Sequence, residues 1–142
     1  MVKKICVFGS GSFGTAMATL VARNDPLADV VILTRREDVQ RGINVAHKNP
    51  THCSEFTLSR NIRATTNSED ALRNASVIVH AIPLQSTEQF LDDVIDHIPK
   101  NGEIVFVSTS KGIETETLEL PCHLLERVLY RQKEKSRRRT NV

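Results

Sequence analysis

The sequence predicts an α/β fold, a doubly wound and mostly parallel sheet of about five strands, and three observations carry that expectation. Short apolar runs recur along the chain with helical patterns between them. Several of these runs are continuous in β-branched residues instead of alternating, which is how strands covered on both faces read. At the start of the chain, one such run passes through three spaced glycines into a segment of helix formers.

The elements follow in order. Lys4–Phe8 is the first strand, and residues 13–24 are the helix after it. The run Asp-Val-Val-Ile-Leu, Asp29–Leu33, is the second strand, followed by a helix over 37–47. Ile62–Thr65 is a weaker third strand. The next helix spans 68–74, with Asn67 or Ser68 able to cap it and the acids Glu69 and Asp70 in its first turn. Residues 76–82 form a strong fourth strand, 84–97 a helix, 103–107 a fifth strand, and a final helix runs from about 117 to 133. This alternation calls for right-handed crossovers between parallel strands. The longest irregular stretch is 49–61, with Pro50 and with Phe56 and Leu58 as its anchors; connections of that length are often functional or mobile.

The chain's 142 residues can bury a core within one domain, and 39% apolar with 25% charged residues is an ordinary globular balance. No apolar run approaches the ~20 residues of a membrane span. Met-Val-Lys-Lys leads directly into the first strand, leaving no room for a signal peptide, so a cytoplasmic location is expected. Cys6, Cys53 and Cys122 are odd in number and widely spaced, which suggests no disulfide framework, and Cys6 reads as a small buried apolar residue. The histidines lack metal-ligand spacing, and the adjacent Cys122 and His123 point in different directions on a helix, so no metal site is predicted.

The net charge of +2 is unevenly spread. From Arg131 onward six basic residues and one acid give +5, leaving −3 for the rest. The segment is read as a basic tail over 131–142, a frayed and solvated helix end following a domain over 1–130. It lacks the interleaved aromatic residues that stack on bases, so nucleic acid is not the expected partner.

Gly9-Ser10-Gly11-Ser12-Phe13-Gly14 is a G-x-G-x-x-G sequence placed between a strand and a helix, the context in which this pattern binds a dinucleotide. In a Rossmann-type unit, Gly9 allows the tight turn, Gly11 lets a pyrophosphate approach the backbone, and Gly14 lets the helix pack closely on the sheet. About 20 residues further on, where an NAD-binding domain commonly has an acid, stand Thr34, Arg35 and Arg36. A guanidinium there can hold the 2′-phosphate of NADP, so the cofactor is NAD or NADP with a lean to NADP. Pro83 and Gln85 follow the fourth strand, at the edge where open α/β sheets bind ligands; Gln85 can donate to a cofactor amide or cap a helix. Lys111 follows the fifth strand beside Gly112, where it reads either as a turn lysine or as a point charge for a phosphate or carbonyl.

Together these segments resemble the NAD(P)-dependent glycerol-3-phosphate dehydrogenases. The resemblance rests on Gly9 to Ala16 (with Phe13 where that family usually has tryptophan), Ile43-Asn44, His47, Asn49-Pro50, Asn61 to Thr66, Ala71-Leu72, Ala81 to Gln85 and Ser110 to Glu114. It extends from about Lys3 to Leu129. It implies an oxidoreductase that moves a hydride between NAD(P)H and dihydroxyacetone phosphate, giving sn-glycerol 3-phosphate. By position it implies that Ser12 and Phe13 contact the cofactor, that Arg35 and Arg36 lie at its adenosine end, and that Lys111 lies near nicotinamide and substrate. The main catalytic lysine of the family belongs to a helical second domain, which is expected to be absent here together with the sixth strand; the full-length family implies a homodimer. Two alternatives stay open: a stand-alone dinucleotide-binding or interaction module without catalysis, and a related β-hydroxyacid-type dehydrogenase.

Overall fold

A computed structural model describes residues 3–100 and 104–140, with side chains up to residue 131. Five parallel strands, β1 (Lys4–Phe8), β2 (Asp29–Leu33), β3 (Ile62–Thr65), β4 (Val77–His80) and β5 (Val105–Ser108), form one sheet in the order β3-β2-β1-β4-β5. The chain winds outward from β1 through β2 to β3, then crosses to the other side for β4 and β5. The order therefore reverses at β1, the switch point where such sheets leave a crevice beyond their carboxyl ends. The register lines up Thr65, Leu33, Phe8, His80 and Ser108 as one row at that edge.

The chain divides into two compact units, Met1–Ile82 with His97–Thr109, and Pro83–Asp96 with Ser110–Val142. The first unit holds the sheet with α1 (Ser12–Asn24), α2 (Glu37–Ala46) and α3 (Ser68–Leu72). On one sheet face Ile5, Val7, Val30, Ile32, Ile62 and Ala64 form a core with Ala18 and Ala22 of α1 and Val39 and Ile43 of α2. The alanines, one helical turn apart, let α1 lie close to the strands. Cys6, Phe8, Val31 and Ile78, which alternate with these residues, are also completely buried. Both faces of the central strands are thus withdrawn from water, as their unbroken apolar runs require. Burial also pushes the Cys6 thiol up to about 12, so it behaves as a packing residue.

β5 departs from this pattern. Val105 and Val107, in register with Val77 and Val79, remain 56% and 38% exposed, so the edge strand is covered less than its sequence suggests.

Asn67 caps α3 as expected, its Oδ1 accepting the Asp70 N–H at 2.9 Å. That helix ends at Leu72 because the chain turns through Asn74 at φ 63°.

In the second unit the helix expected over 84–97 is divided: a 3-10 turn at Leu84–Ser86, α4 (Thr87–Val94), and a second 3-10 turn at Ile95–His97 that reaches the boundary with the first unit. The last helix, α5 (Pro121–Thr140), starts later and runs further than the sequence indicates. Glu114 explains the start: its carboxylate accepts the N–H groups of Glu116 and Thr117 at 2.9 and 2.6 Å, fixing a turn where the helix was expected. Pro121 then suits the first helical position, which needs no N–H donor. No glycine or proline interrupts residues 122–140, which permits the longer helix. The side chains of the basic tail beyond Arg131 lie outside the described residues. α4 and α5 pack together, with Arg127 bonded to Glu119 and Glu88 and Arg131 to Glu88 and Asp92.

Candidate cofactor-binding site

The turn from β1 into α1 separates its three glycines by physical role. Gly9 has φ 99°, and a Cβ there would stand 2.7 Å from Ile82 Cγ2 and 2.9 Å from the Ala81 carbonyl oxygen. A Cβ on Gly14 would collide with the Gly9 carbonyl oxygen. Both positions therefore exclude side chains for the sake of the fold itself. Gly11 differs. Its φ of −68° suits any residue, and a Cβ there would meet nothing within 4 Å. Its missing side chain leaves open space outside the chain.

Gly11 is also the N-cap of α1, and no side chain caps that end. The N–H groups of Ser12, Phe13 and Gly14 consequently lack partners within the helix, and the positive end of the helix dipole lies there. Such a terminus favours an anion. Ser12 and Phe13 are exposed, Phe13 by 53%.

Side-chain links to distant segments hold this turn. Ser10 Oγ shares a 2.8 Å hydrogen bond with Thr34 Oγ1 at the end of β2. Buried Asn49 donates its amide to the Ser10 carbonyl and to Thr15 Oγ1, both at 2.8 Å. The Asn49 Oδ1 accepts from the N–H and hydroxyl of Thr51 and from the His52 N–H, shaping the start of the long loop. His52 Nδ1 lies 3.2 Å from Ser12 Oγ. Of the anchors expected in this loop, Leu58 is buried in the core, whereas Phe56 is exposed.

Beyond Thr34, Arg35 and Arg36 are both exposed. The Arg36 N–H donates to Thr34 Oγ1 at 3.2 Å, and its guanidinium grips Asp38, Nε to Oδ1 at 3.1 Å and Nη2 to Oδ2 at 2.6 Å. That hydrogen bonding holds the Asp38 carboxyl below the usual carboxylate range and raises the guanidinium pKa.

At the carboxyl edge of β4, His80 is fully buried, and desolvation pushes its imidazole down to about 4. Thr109 donates its hydroxyl and its N–H to the His80 carbonyl at 2.6 and 3.1 Å. Ser108, in register with His80, has a buried Oγ without a hydrogen-bond partner among the described residues.

The structure thus brings together Gly9, Ser10, Gly11, Ser12, Phe13, Gly14, Arg35 and Arg36 in the first unit, whereas Pro83, Gln85 and Lys111 belong to the second. There, Gln85 is exposed within the 3-10 turn that Pro83 opens. Lys111 is exposed, immediately before Gly112 at φ 98°. His52, His80 and Ser108 carry no motif that would have singled them out; only the register and the loop's path bring them to this edge.

A five-stranded parallel sheet of this order, with a glycine turn leading from its first strand into a helix, is a Rossmann-type fold. The model of the family described as NAD-dependent glycerol-3-phosphate dehydrogenase N-terminus matches residues 4–136. The chain belongs to that family. It is 38% identical over 127 residues to the chloroplastic NAD+ glycerol-3-phosphate dehydrogenase of Oryza sativa subsp. japonica, covering 89% of this chain and 28% of that protein. To the NAD(P)+ glycerol-3-phosphate dehydrogenase of Bacillus licheniformis it is 35% identical over 135 residues, covering 89% of this chain and 38% of that one. The solved structure of Plasmodium falciparum glycerol-3-phosphate dehydrogenase superposes with a TM-score of 0.79 at 23% identity, over 90% of this chain and 38% of that chain, a likeness of fold. This chain therefore spans between 28% and 38% of the length of these proteins. No helix among the described residues is long and apolar enough to cross a membrane.

Proposed function

We propose that residues 1–130 form the cofactor-binding portion of a glycerol-3-phosphate dehydrogenase, with NAD or NADP held by its pyrophosphate at the Gly9–Gly14 turn. The observation that carries this reading is the contrast among the glycines. Gly9 is required by its positive φ and its contacts with Ile82 and Ala81, and Gly14 by the Gly9 carbonyl, whereas Gly11 faces open space beside an uncapped helix terminus. That vacant position suits the close approach of a phosphate to backbone N–H groups. The unpartnered Ser108 hydroxyl at the same sheet edge is a second group that a ligand would satisfy.

When bound, the nicotinamide cofactor supplies or accepts the hydride exchanged with dihydroxyacetone phosphate and sn-glycerol 3-phosphate. The chain's residues bind and orient it. The α1 terminus neutralises pyrophosphate charge, Ser12 and Phe13 contact the cofactor, and Arg35 and Arg36 receive its adenosine end. Pro83 and Gln85 belong to the same cofactor-binding set. Lys111 contributes positive charge that stabilises the alkoxide developing on the substrate. Because the chain spans a minor part of its relatives, the share of the reaction assigned to it is cofactor binding and this electrostatic contribution. The compartment that goes with this reading is the cytoplasm, while the rice relative is named as chloroplastic.

Titration of the purified chain with NADH and with NADPH, followed by nicotinamide fluorescence, tests the proposal. Saturable change with at least one cofactor is expected; its absence with both rejects the reading.

A further inference from the structure

Arg36 presents Nε and Nη2 to the two carboxylate oxygens of Asp38, at 3.1 and 2.6 Å. This is the donor edge with which a guanidinium grips a phosphate in paired bonds. The base of the side chain is held as well: the Arg36 N–H donates to Thr34 Oγ1, which is bonded to Ser10 of the glycine turn. Arg36 is thus kept at the edge where the adenosine ribose of a dinucleotide would lie, with its fork already filled by a carboxylate.

We propose that Asp38 sets cofactor choice by competing with a ribose 2′-phosphate for the Arg36 fork. The inference rests on the dinucleotide reading above and deepens it. A 2′-phosphate must displace the carboxylate and also approach its negative charge, whereas a 2′-hydroxyl meets neither obstacle. Asp38 therefore lowers affinity for NADP below what Arg35 and Arg36 would otherwise confer, and leaves NAD binding almost untouched. Both side chains are 56% exposed, so the competition is a modest one between solvated groups.

The test is a double-mutant cycle with NADH and NADPH titrated against the wild-type chain, Asp38→Asn, Arg36→Ala and the double variant at low ionic strength. In Asp38→Asn the affinity ratio of NADPH to NADH should rise about fivefold, and that rise should vanish in the Arg36→Ala background. An unchanged ratio in Asp38→Asn, or an equal rise without Arg36, overturns the proposal. Binding of neither cofactor by the wild-type chain overturns the dinucleotide reading itself, and this inference with it. Matching thermal transitions for the four proteins separate a binding effect from a folding one.

Discussion

The side-chain amide of Asn49 lies 2.8 Å from the Ser10 carbonyl oxygen and joins the long loop after α2 to the glycine turn after β1. Asn49 is fully buried, and its amide also serves Thr15, Thr51 and His52. The loop therefore braces the glycine turn proposed above as the cofactor site.

Replacing Asn49 with alanine leaves the Ser10 carbonyl only the longer 3.4 Å bond from Thr15 Oγ1 among its side-chain donors and removes the donor to the Thr15 hydroxyl oxygen. A loss of about 2 kcal/mol in unfolding free energy is expected. NADH affinity should weaken as the turn loosens. Urea denaturation and fluorescence titration measure the two effects, and a variant as stable as wild type would show that the brace is unimportant.

Gly14 should tolerate no side chain. A Cβ there meets the Gly9 carbonyl, which is backbone and cannot move aside by a side-chain rotation. Gly14→Ala should lose about 3 kcal/mol or fail to accumulate as folded protein. Soluble yield and thermal melting decide; wild-type behaviour would contradict the helix–turn packing.

His80 makes stability depend on pH in a defined window. Its imidazole is held neutral with a pKa of about 4, against 6.5 when the chain is unfolded. Between those values the unfolded state binds a proton that the folded state excludes, so stability rises with pH. The contribution is complete above about pH 6.5 and is lost as pH falls towards 4, up to about 3 kcal/mol. Urea midpoints at pH 7 and pH 5 should differ more for wild type than for His80→Gln. Equal differences would mean that His80 is not held neutral by the fold.

Much of the fold was legible because the strands are short, continuous and β-branched. β1, β2 and β3 have the bounds that their apolar runs suggest. What escaped the sequence was decided by contacts between distant segments. The exposure of Val105 and Val107 depends on what lies over the sheet edge, and the apolar run of β5 looks like that of a buried strand. α5 starts later than its sequence suggests because the Glu114 carboxylate captures two N–H groups that a helix would otherwise organise. Site residues show the same division. The glycine pattern was plain, but only φ values and the space around each Cβ distinguish Gly9 and Gly14 from Gly11. Asn49 stood in a recognisable Asn-Pro pair, yet its bond to Ser10 spans 39 residues and has no local signature. The lean to NADP rests on two adjacent arginines, and nothing in the run Arg36-Glu37-Asp38 reveals that Asp38 grips one of them.

Gly11→Val separates the needs of the fold from those of the ligand. The added side chain meets nothing in the protein within 4 Å of its Cβ, at a backbone conformation open to any residue, so the variant should melt close to wild type. It should also lose at least about a hundredfold in NADH affinity, because the methyl groups occupy the approach to the α1 terminus. A direct NADH titration of the folded Gly11→Val chain is the measurement. Strongly weakened binding supports the cofactor site at this turn, and wild-type affinity would contradict it.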